Sequence, residues 1–536
     1  MGKTSLVFYF LFFNTILSYG QQQTYFVQFT DKNTSLFSID QPEDYLSNRA
    51  IVRRSKCKVS IDQKDFPVTQ TYIDQVVLLG AQLLYPLKWF NGIVVRSDIN
   101  VKNQIALLSY VTAVDASVVF RKGVKKSTQS FLNKSAILED FGNAFLQNDM
   151  LGISQMHNEG YTGNGVLIAI TDDGFLNTNI NAGFNTLYTN GQVIGTHDLV
   201  DIDTSLYQQG GGHGAEVFSI IAGSLSGQFS SPAIDADYML FRTEDVSSES
   251  PLEELNWVRA AELADSSGVD IIQVSLGYTT FDDPALDHSW LDLDGASSYI
   301  SKGASIAYQK GIIVVVSAGN EGDKAWKKIL CPADVDGVLA IGAVDYTETR
   351  SGFSSYGNSA DGRIKPDLMA LGQGVSFIGT DGLVRAGSGT SFASPLISGL
   401  AAGLVQAHPT LTHKQIMYAM RLSADRYLNP DSYYGYGIPN YTKASQYATI
   451  MEDEASVFVF PNPFATSLSM KVQETAIGSM LDWDLYSING QRIAKGKQVI
   501  AESLVTLWST EFIPAAGMYM LHVSIDGMRR TYKVIK

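Results

Sequence analysis

Apolar positions change their spacing along this chain. Between residues 21 and 120 they form short patches, Tyr25-Phe26-Val27-Gln28-Phe29 and Gly92-Ile93-Val94-Val95, with the aromatic and β-branched content of strands. From about residue 141 to 445 compact apolar runs recur: Val166-Leu167-Ile168-Ala169-Ile170, Asp270-Ile271-Ile272-Gln273-Val274 and Ile312-Ile313-Val314-Val315-Val316. Runs without polar alternation suit strands buried on both faces. Between them, Glu253 to Ser267 and Ile300 to Gln309 space their apolar residues as amphipathic helices. Strand, helix, strand in repetition predicts a mostly parallel sheet flanked by helices, with functional groups at the carboxyl ends of the strands. After about residue 450 the pattern changes again. Val457-Phe458-Val459-Phe460-Pro461-Asn462-Pro463-Phe464, a hairpin signal at Asn489-Gly490, the alternating Gly517 to Val523 and the closing Tyr532 to Lys536 predict a separate small β-sandwich.

The predicted layout is a leader at 1–20, an α+β domain at 21–122, a linker at 123–140, the α/β domain at 141–445, a short linker at 446–455 and the sandwich at 456–536. The leader reads as a signal peptide: Lys3 supplies the positive end, Leu6 to Leu17 is apolar but only 12 residues long, and Ser18-Tyr19-Gly20 offers small residues for cleavage. Twelve residues are too few to span a bilayer comfortably, with a single-pass anchor as the plainer alternative, and no other stretch is apolar enough, so the expected mature form has no transmembrane segment. The basic run Arg121-Lys122-Gly123-Val124-Lys125-Lys126 and the polar stretch after it suit an exposed, cleavable linker or an ordinary solvated loop. A formal net charge of −15 argues against nucleic acid as a partner, since a phosphate backbone calls for a basic surface.

Three local sequences carry candidate chemistry. In Ile168-Ala169-Ile170-Thr171-Asp172-Asp173-Gly174 an apolar strand delivers a carboxylate at its carboxyl end. In Gly212-His213-Gly214-Ala215-Glu216-Val217 glycines crowd a histidine at the start of an apolar helix. In Gly387-Ser388-Gly389-Thr390-Ser391-Phe392-Ala393-Ser394-Pro395 a glycine turn delivers Ser391 to the start of a helix running to about Ala407. Each has a plainer reading: a turn aspartate, a structural histidine, a helix cap. Together, in the order Asp, His, Ser, they match the requirement of serine hydrolysis for a nucleophile, a base and an acid that orients the base. An esterase elbow is excluded, because Gly389-Thr390-Ser391-Phe392-Ala393 ends in alanine and the order Ser, Asp, His is absent.

On these motifs residues 141–445 resemble the subtilisin-like (subtilase) serine peptidases. The resemblance implies that Asp172, His213 and Ser391 form a catalytic triad and that protein or peptide substrates are cleaved through an acyl-enzyme. Ser275-Leu276-Gly277 is similar to the segment that lines the specificity pocket and pairs with extended substrate. Ser317-Ala318-Gly319-Asn320 is similar to the segment that supplies the oxyanion-hole asparagine; Ala318 and Gly319 are then substrate-binding residues and Asn320 the electrophilic partner. Two positions depart from the family pattern. Asp173 stands where a small hydroxyl residue is usual and competes with Asp172 as a carboxylate; Ala215 replaces the usual threonine.

The flanks resemble family companions. Residues 21 to about 122, including Lys88-Trp89-Phe90-Asn91-Gly92, resemble a propeptide that assists folding and blocks the cleft. The C-terminal segment, with its Pro461-Asn462-Pro463 opening and Lys533-Val534-Ile535-Lys536 end, resembles the sorting domain of the type IX secretion system of Bacteroidetes. That implies export across the outer membrane, with secretion or cell-surface attachment and the type IX machinery as a partner; a carbohydrate- or protein-binding sandwich is the other reading. Cys57 and Cys331 would tie the propeptide to the enzyme if bridged, so no disulfide is expected. No cofactor is expected; structural calcium is common in the family, but no residues here place it. The acidic stretch Thr243 to Glu249 with Glu253-Glu254 suits basic or polar substrate residues, or a solvated loop and helix start. The rival function is a non-catalytic surface binding protein on the same scaffold.

Overall fold

The computed structural model describes residues 22–33, 35–116, 141–202, 205–452, 458–464, 466–508 and 514–536; the leader and the linker at 123–140 lie outside the described residues. Seven strands form one parallel sheet, in spatial order Leu368–Leu371, Leu339–Val344, Ile313–Ser317, Ile271–Val274, Leu167–Asp172, Asp237–Arg242 and Val193–Asp198. The three apolar runs read from the sequence are its central strands, and every residue of each is buried. Alternate residues feed two cores. Ile168, Ile170, Ile271, Ile313 and Val315 meet the helices His213–Ala222 and Thr390–Ala407. Leu167, Ala169, Ile272, Val314 and Val316 meet Pro251–Ser267 and Tyr299–Gln309. This is the two-residue period of a strand serving both faces of a covered sheet.

The chain leaves Leu167–Asp172 toward one edge of the sheet and later returns to build the other edge, starting with Ile271–Val274. Those adjacent strands therefore flank the topological switch point, where their carboxyl ends diverge and open a crevice. Asp172 ends one strand, and Ser275 follows the other.

The N-terminal domain is a four-stranded antiparallel sheet in the order Gln82–Leu87, Gly92–Ser97, Gln23–Phe29, Val111–Asp115. Tyr25, Val27 and Phe29 turn inward to the domain's own core, while Phe26, Tyr85, Leu87 and Val94 join the core beneath Pro251–Ser267 and Tyr299–Gln309. Its helix Asn48–Lys56 adds a buried ionic lock. Arg53 Nη2 donates to Asp265 Oδ1 at 2.5 Å; Arg54 bridges Asp65 and Asp265 at 2.8 Å each; Lys88 Nζ reaches Ser266 Oγ at 2.6 Å, and Trp89 N reaches Glu262 Oε1 at 2.8 Å. Arg49 pairs with Asp270. The helix Pro251–Ser267 consequently differs from the amphipathic expectation. Glu253, Glu254, Asn256, Glu262 and Asp265 are buried, because the face that would meet water meets the N-terminal domain or its own loop. Cys57 and Cys331 carry free thiols.

The C-terminal strands form a three-stranded sheet, Phe458–Phe460, Leu468–Lys471 and Leu504–Trp508, and a four-stranded one, Arg492–Val499, Met480–Ser487, Met518–Ile525 and Met528–Ile535. Trp483, Leu485, Trp508, Leu521 and Val523 pack between them. Among the described residues no helix is long and apolar enough to cross a membrane.

Candidate active site

Asp172 is 2 % exposed, and its Oδ1 accepts from His213 Nδ1 and from Asp173 N, both at 2.8 Å. The approach depends on Gly214. A Cβ there would stand 2.8 Å from Asp172 Cβ and 2.4 Å from the Gly174 carbonyl oxygen, so any side chain would push the histidine's helix off the aspartate's strand. Asp173 does not take the imidazole. Its Oδ1 accepts from Gly214 N at 3.2 Å, filling one of the unbonded N–H groups in the first turn of His213–Ala222. The second acid that the sequence left as a competitor thus anchors the helix that carries His213. Ala215 is buried in that helix. Burial pulls the His213 imidazole down, but Asp172, then Asp173 and Glu216, outweigh it and push the ring up to about 9.

Ser391 is 8 % exposed in the first turn of Thr390–Ala407. The Phe392 ring stacks on the His213 imidazole with centroids 5.7 Å apart, bringing the two helix starts together. Pro395 lies four residues after Ser391 inside this helix and has no N–H to give the Ser391 carbonyl. That carbonyl instead accepts from Ser275 Oγ at 2.9 Å. Beneath it, Gln273 donates to Ser275 Oγ at 2.8 Å and to Ser394 Oγ at 2.7 Å, and accepts from Ser398 Oγ at 2.5 Å. The Ser275 side chain therefore turns under the helix that carries Ser391, while Leu276 and Gly277 stay half-exposed.

Asn320 is oriented by Thr390, whose N and Oγ1 donate to Asn320 Oδ1 at 2.9 and 3.0 Å. With Oδ1 committed, the Nδ2 end is the donor left facing the crevice. A Cβ added to Gly389 would lie 2.9 Å from Ser391 Oγ and 3.6 Å from Asn320 Nδ2, so both groups border one space that the missing side chain leaves open. Gly319 N donates to Thr390 Oγ1 at 3.1 Å, and Ala318 is buried beside it. The sequence reading missed Thr390 and the Gln273, Ser394 and Ser398 ladder. The proline four residues past Ser391 was the available signal, since it announces an unbonded carbonyl.

Among the described residues, two groups place three ligand-type atoms within 4.8 Å of one another: Asp172, Asp173 and His213, and Glu244, Glu249 and Glu253. In the second, Tyr278 Oη donates to Glu244 Oε1 at 2.5 Å, and Glu253 accepts from Asp245 N and Ser250 N at 2.8 Å each. Burial, reinforced by the neighbouring acids, raises the Glu244 and Glu253 carboxyls well above the usual range. Much of the acidic stretch is thus internal bonding, capping a helix and holding Tyr278.

A covered parallel sheet with its switch point at Asp172, an imidazole bonded to that carboxylate and a helix-start serine next to Phe392, which stacks on the imidazole, give the layout of a serine hydrolase. The family model described as Subtilase family matches residues 163–437, and a peptidase S8 propeptide domain model of the Bacteroidota matches residues 24–133. Subtilisin NAT of Bacillus subtilis subsp. natto is 28% identical over 344 residues, 63% of this chain and 81% of that protein. The subtilisin of Bacillus pumilus is 29% identical over 302 residues, 55% of this chain and 98% of that one. The chain belongs to the subtilase family: it is a subtilisin-like serine endopeptidase preceded by its own propeptide domain.

Proposed function

We propose that this peptidase cleaves protein substrates outside the cell through an acyl-enzyme, with Asp172, His213 and Ser391 as its triad and Asn320 as oxyanion donor. The observation that carries the reading is the 2.8 Å bond from His213 Nδ1 to the buried Asp172 carboxylate, beside the helix Thr390–Ala407 that holds Ser391 in its first turn. That bond fixes the tautomer and leaves Nε2 as the base. Ser391 Oγ attacks the peptide carbonyl as His213 takes its proton. The new oxyanion lies between Asn320 Nδ2 and the Ser391 N–H, at the positive end of an 18-residue helix. His213 then gives its proton to the leaving amine, and water admitted to the acyl-enzyme reverses the sequence.

The N-terminal domain, seated on Pro251–Ser267 and Tyr299–Gln309, acts as folding aid and inhibitor until it is cut away between about residues 115 and 140. The leader and the C-terminal sandwich carry the chain out of the cell, the sandwich as the address read by a type IX machinery; its Pro461-Asn462-Pro463 opening and Lys533-Val534-Ile535-Lys536 end support this. A fluorophosphonate probe tests the central claim. It labels the purified processed enzyme on Ser391, and the Ser391→Ala variant takes no label and leaves casein intact. Casein cleavage that survives in Ser391→Ala rules the assignment out.

A further inference from the structure

The crevice has two walls beside the space bordered by Ser391 Oγ and Asn320 Nδ2: the segment Ser275-Leu276-Gly277 and the segment Ala318-Gly319. An extended substrate whose carbonyl enters that space must pass the side chain of that same residue between them. In this chain the gap is already filled. A Cβ on Gly277 would lie 2.8 Å from Leu330 Cβ and 3.2 Å from its Cδ1; a Cβ on Gly319 would lie 2.6 Å from Leu330 Cγ and 2.9 Å from its Cδ1. One leucine side chain therefore touches both walls where they are bare backbone.

Its backbone is held on both sides. Leu330 N donates to the Ala318 carbonyl at 3.1 Å, and the next residue, Cys331, exchanges hydrogen bonds with Tyr278 at 3.0 and 3.2 Å. Ile329 and Cys331 on either side are fully buried, while Leu330 itself stays partly exposed in the crevice. The backbone at Leu330 is thus fixed, and only rotation of its own side chain opens the gap.

We propose that Leu330 is the specificity-determining residue of this peptidase. It plugs the pocket for the side chain just before the scissile bond and restricts cleavage to bonds that follow glycine, alanine or serine. This rests on the reading of Ser391, Ser275-Leu276-Gly277 and Ala318-Gly319 as the catalytic and substrate-binding groups. The restriction is steric, so it discriminates by size. An aromatic or leucyl side chain must displace the plug or bind out of register, and a mismatch of even one methylene in an apolar pocket is worth about 10- to 200-fold in kcat/KM.

The test uses the full chain, allowed to process, assayed on succinyl-Ala-Ala-Pro-X-p-nitroanilides with X = Gly, Ala, Leu, Phe and Lys. The wild type favours Ala over Phe by about tenfold or more, and Leu330→Gly moves the Phe-to-Ala ratio at least about thirtyfold toward Phe. A wild type that prefers Phe or Leu overturns the proposal, as does a Leu330→Gly enzyme with an unchanged ratio. Should that variant not fold, the wild type alone decides: mass spectrometry of its casein digest gives the residue before each cut, and a majority of large residues overturns the proposal. The processed N-terminus is a second readout. A start absent from the Ser391→Ala precursor follows Gly123, Ser127, Ser130, Ser135 or Ala136 if the plug operates, and Phe120, Lys126, Phe131 or Leu132 if it does not. Active-site labelling separates the two levels: no label on Ser391 sinks the catalytic reading and this inference with it, whereas a labelled, active enzyme with a large-residue preference sinks only the plug.

Discussion

Replacing Asp173 by asparagine removes one negative charge from beside His213 while keeping an oxygen for the Gly214 N–H that Asp173 now accepts. A carboxylate oxygen of Asp173 lies within 4.8 Å of a His213 ring nitrogen. At that separation a unit charge acts on another with about 1 kcal/mol in a water-like medium and about 3.5 kcal/mol at an effective dielectric constant of 20. The imidazole is about a third exposed, with a side-chain accessibility of 35%, so the lower part of that range applies, about one pKa unit. The sign follows from the chemistry. Negative neighbours stabilise the imidazolium, His213 stands at about 9, and the base must be neutral to work. At pH 7 only about 1 % of the enzyme then carries a neutral imidazole, and activity rises tenfold per pH unit until it levels near 9. The assay is kcat/KM on a peptide anilide from pH 5 to 11. The wild-type acid limb has its midpoint near 9, the Asp173→Asn limb shifts down by about one unit, and the variant is several-fold faster at pH 7. A wild-type midpoint below 7, or a limb that stays put or moves up in the variant, refutes the reasoning.

Other expectations follow from the same geometry. Asn320→Ala loses the side-chain oxyanion donor and lowers kcat by about 100- to 1,000-fold, the scale established for that donor in subtilisin itself, with little change in KM. Thr390→Val, which removes the hydroxyl shared by Asn320 Oδ1 and Gly319 N and leaves Asn320 held by the residue 390 backbone N–H alone, lowers kcat by about tenfold with KM nearly unchanged, whereas Thr390→Ser restores most of the rate. In the Ser391→Ala precursor, Asp265→Ala leaves Arg53 and Arg54 short of their shared carboxylate and costs about 3 to 5 kcal/mol, read as a lower denaturant midpoint.

The central strands were legible because burial on both faces writes an unbroken apolar run, and the runs at Val166, Asp270 and Ile312 each became a strand of the sheet. Asp172, His213 and Ser391 were legible because strand end, glycine pair and helix start are local signals. The support under them was not. Ser275 bonds a carbonyl 116 residues away, and Arg53 meets Asp265 across 212 residues, distances over which no periodicity speaks. Helix Pro251–Ser267 looked half solvated because its partners are charges contributed by another domain. Leu330 sits in an undistinguished Lys-Lys-Ile-Leu-Cys-Pro stretch, and only the folding of two remote backbones around it gives it a task. The pairing of Asp173 with a helix start, instead of with the histidine, needed the turn's actual path.

The ionic lock on Asp265 divides its charges unevenly. The propeptide brings the guanidinium groups of Arg49, Arg53 and Arg54 and the Lys88 amine against one carboxylate, Asp65, and the peptidase domain brings Asp265, Asp270 and Glu262 against one amine, Lys310. When the two part, water wets both freshly bared surfaces at this spot, one left basic and the other acidic, beside the apolar patch that Phe26, Tyr85, Leu87 and Val94 had covered. Dissolved ions compete for the same groups, and the salinity of the surroundings accordingly sets how readily a discarded propeptide settles back.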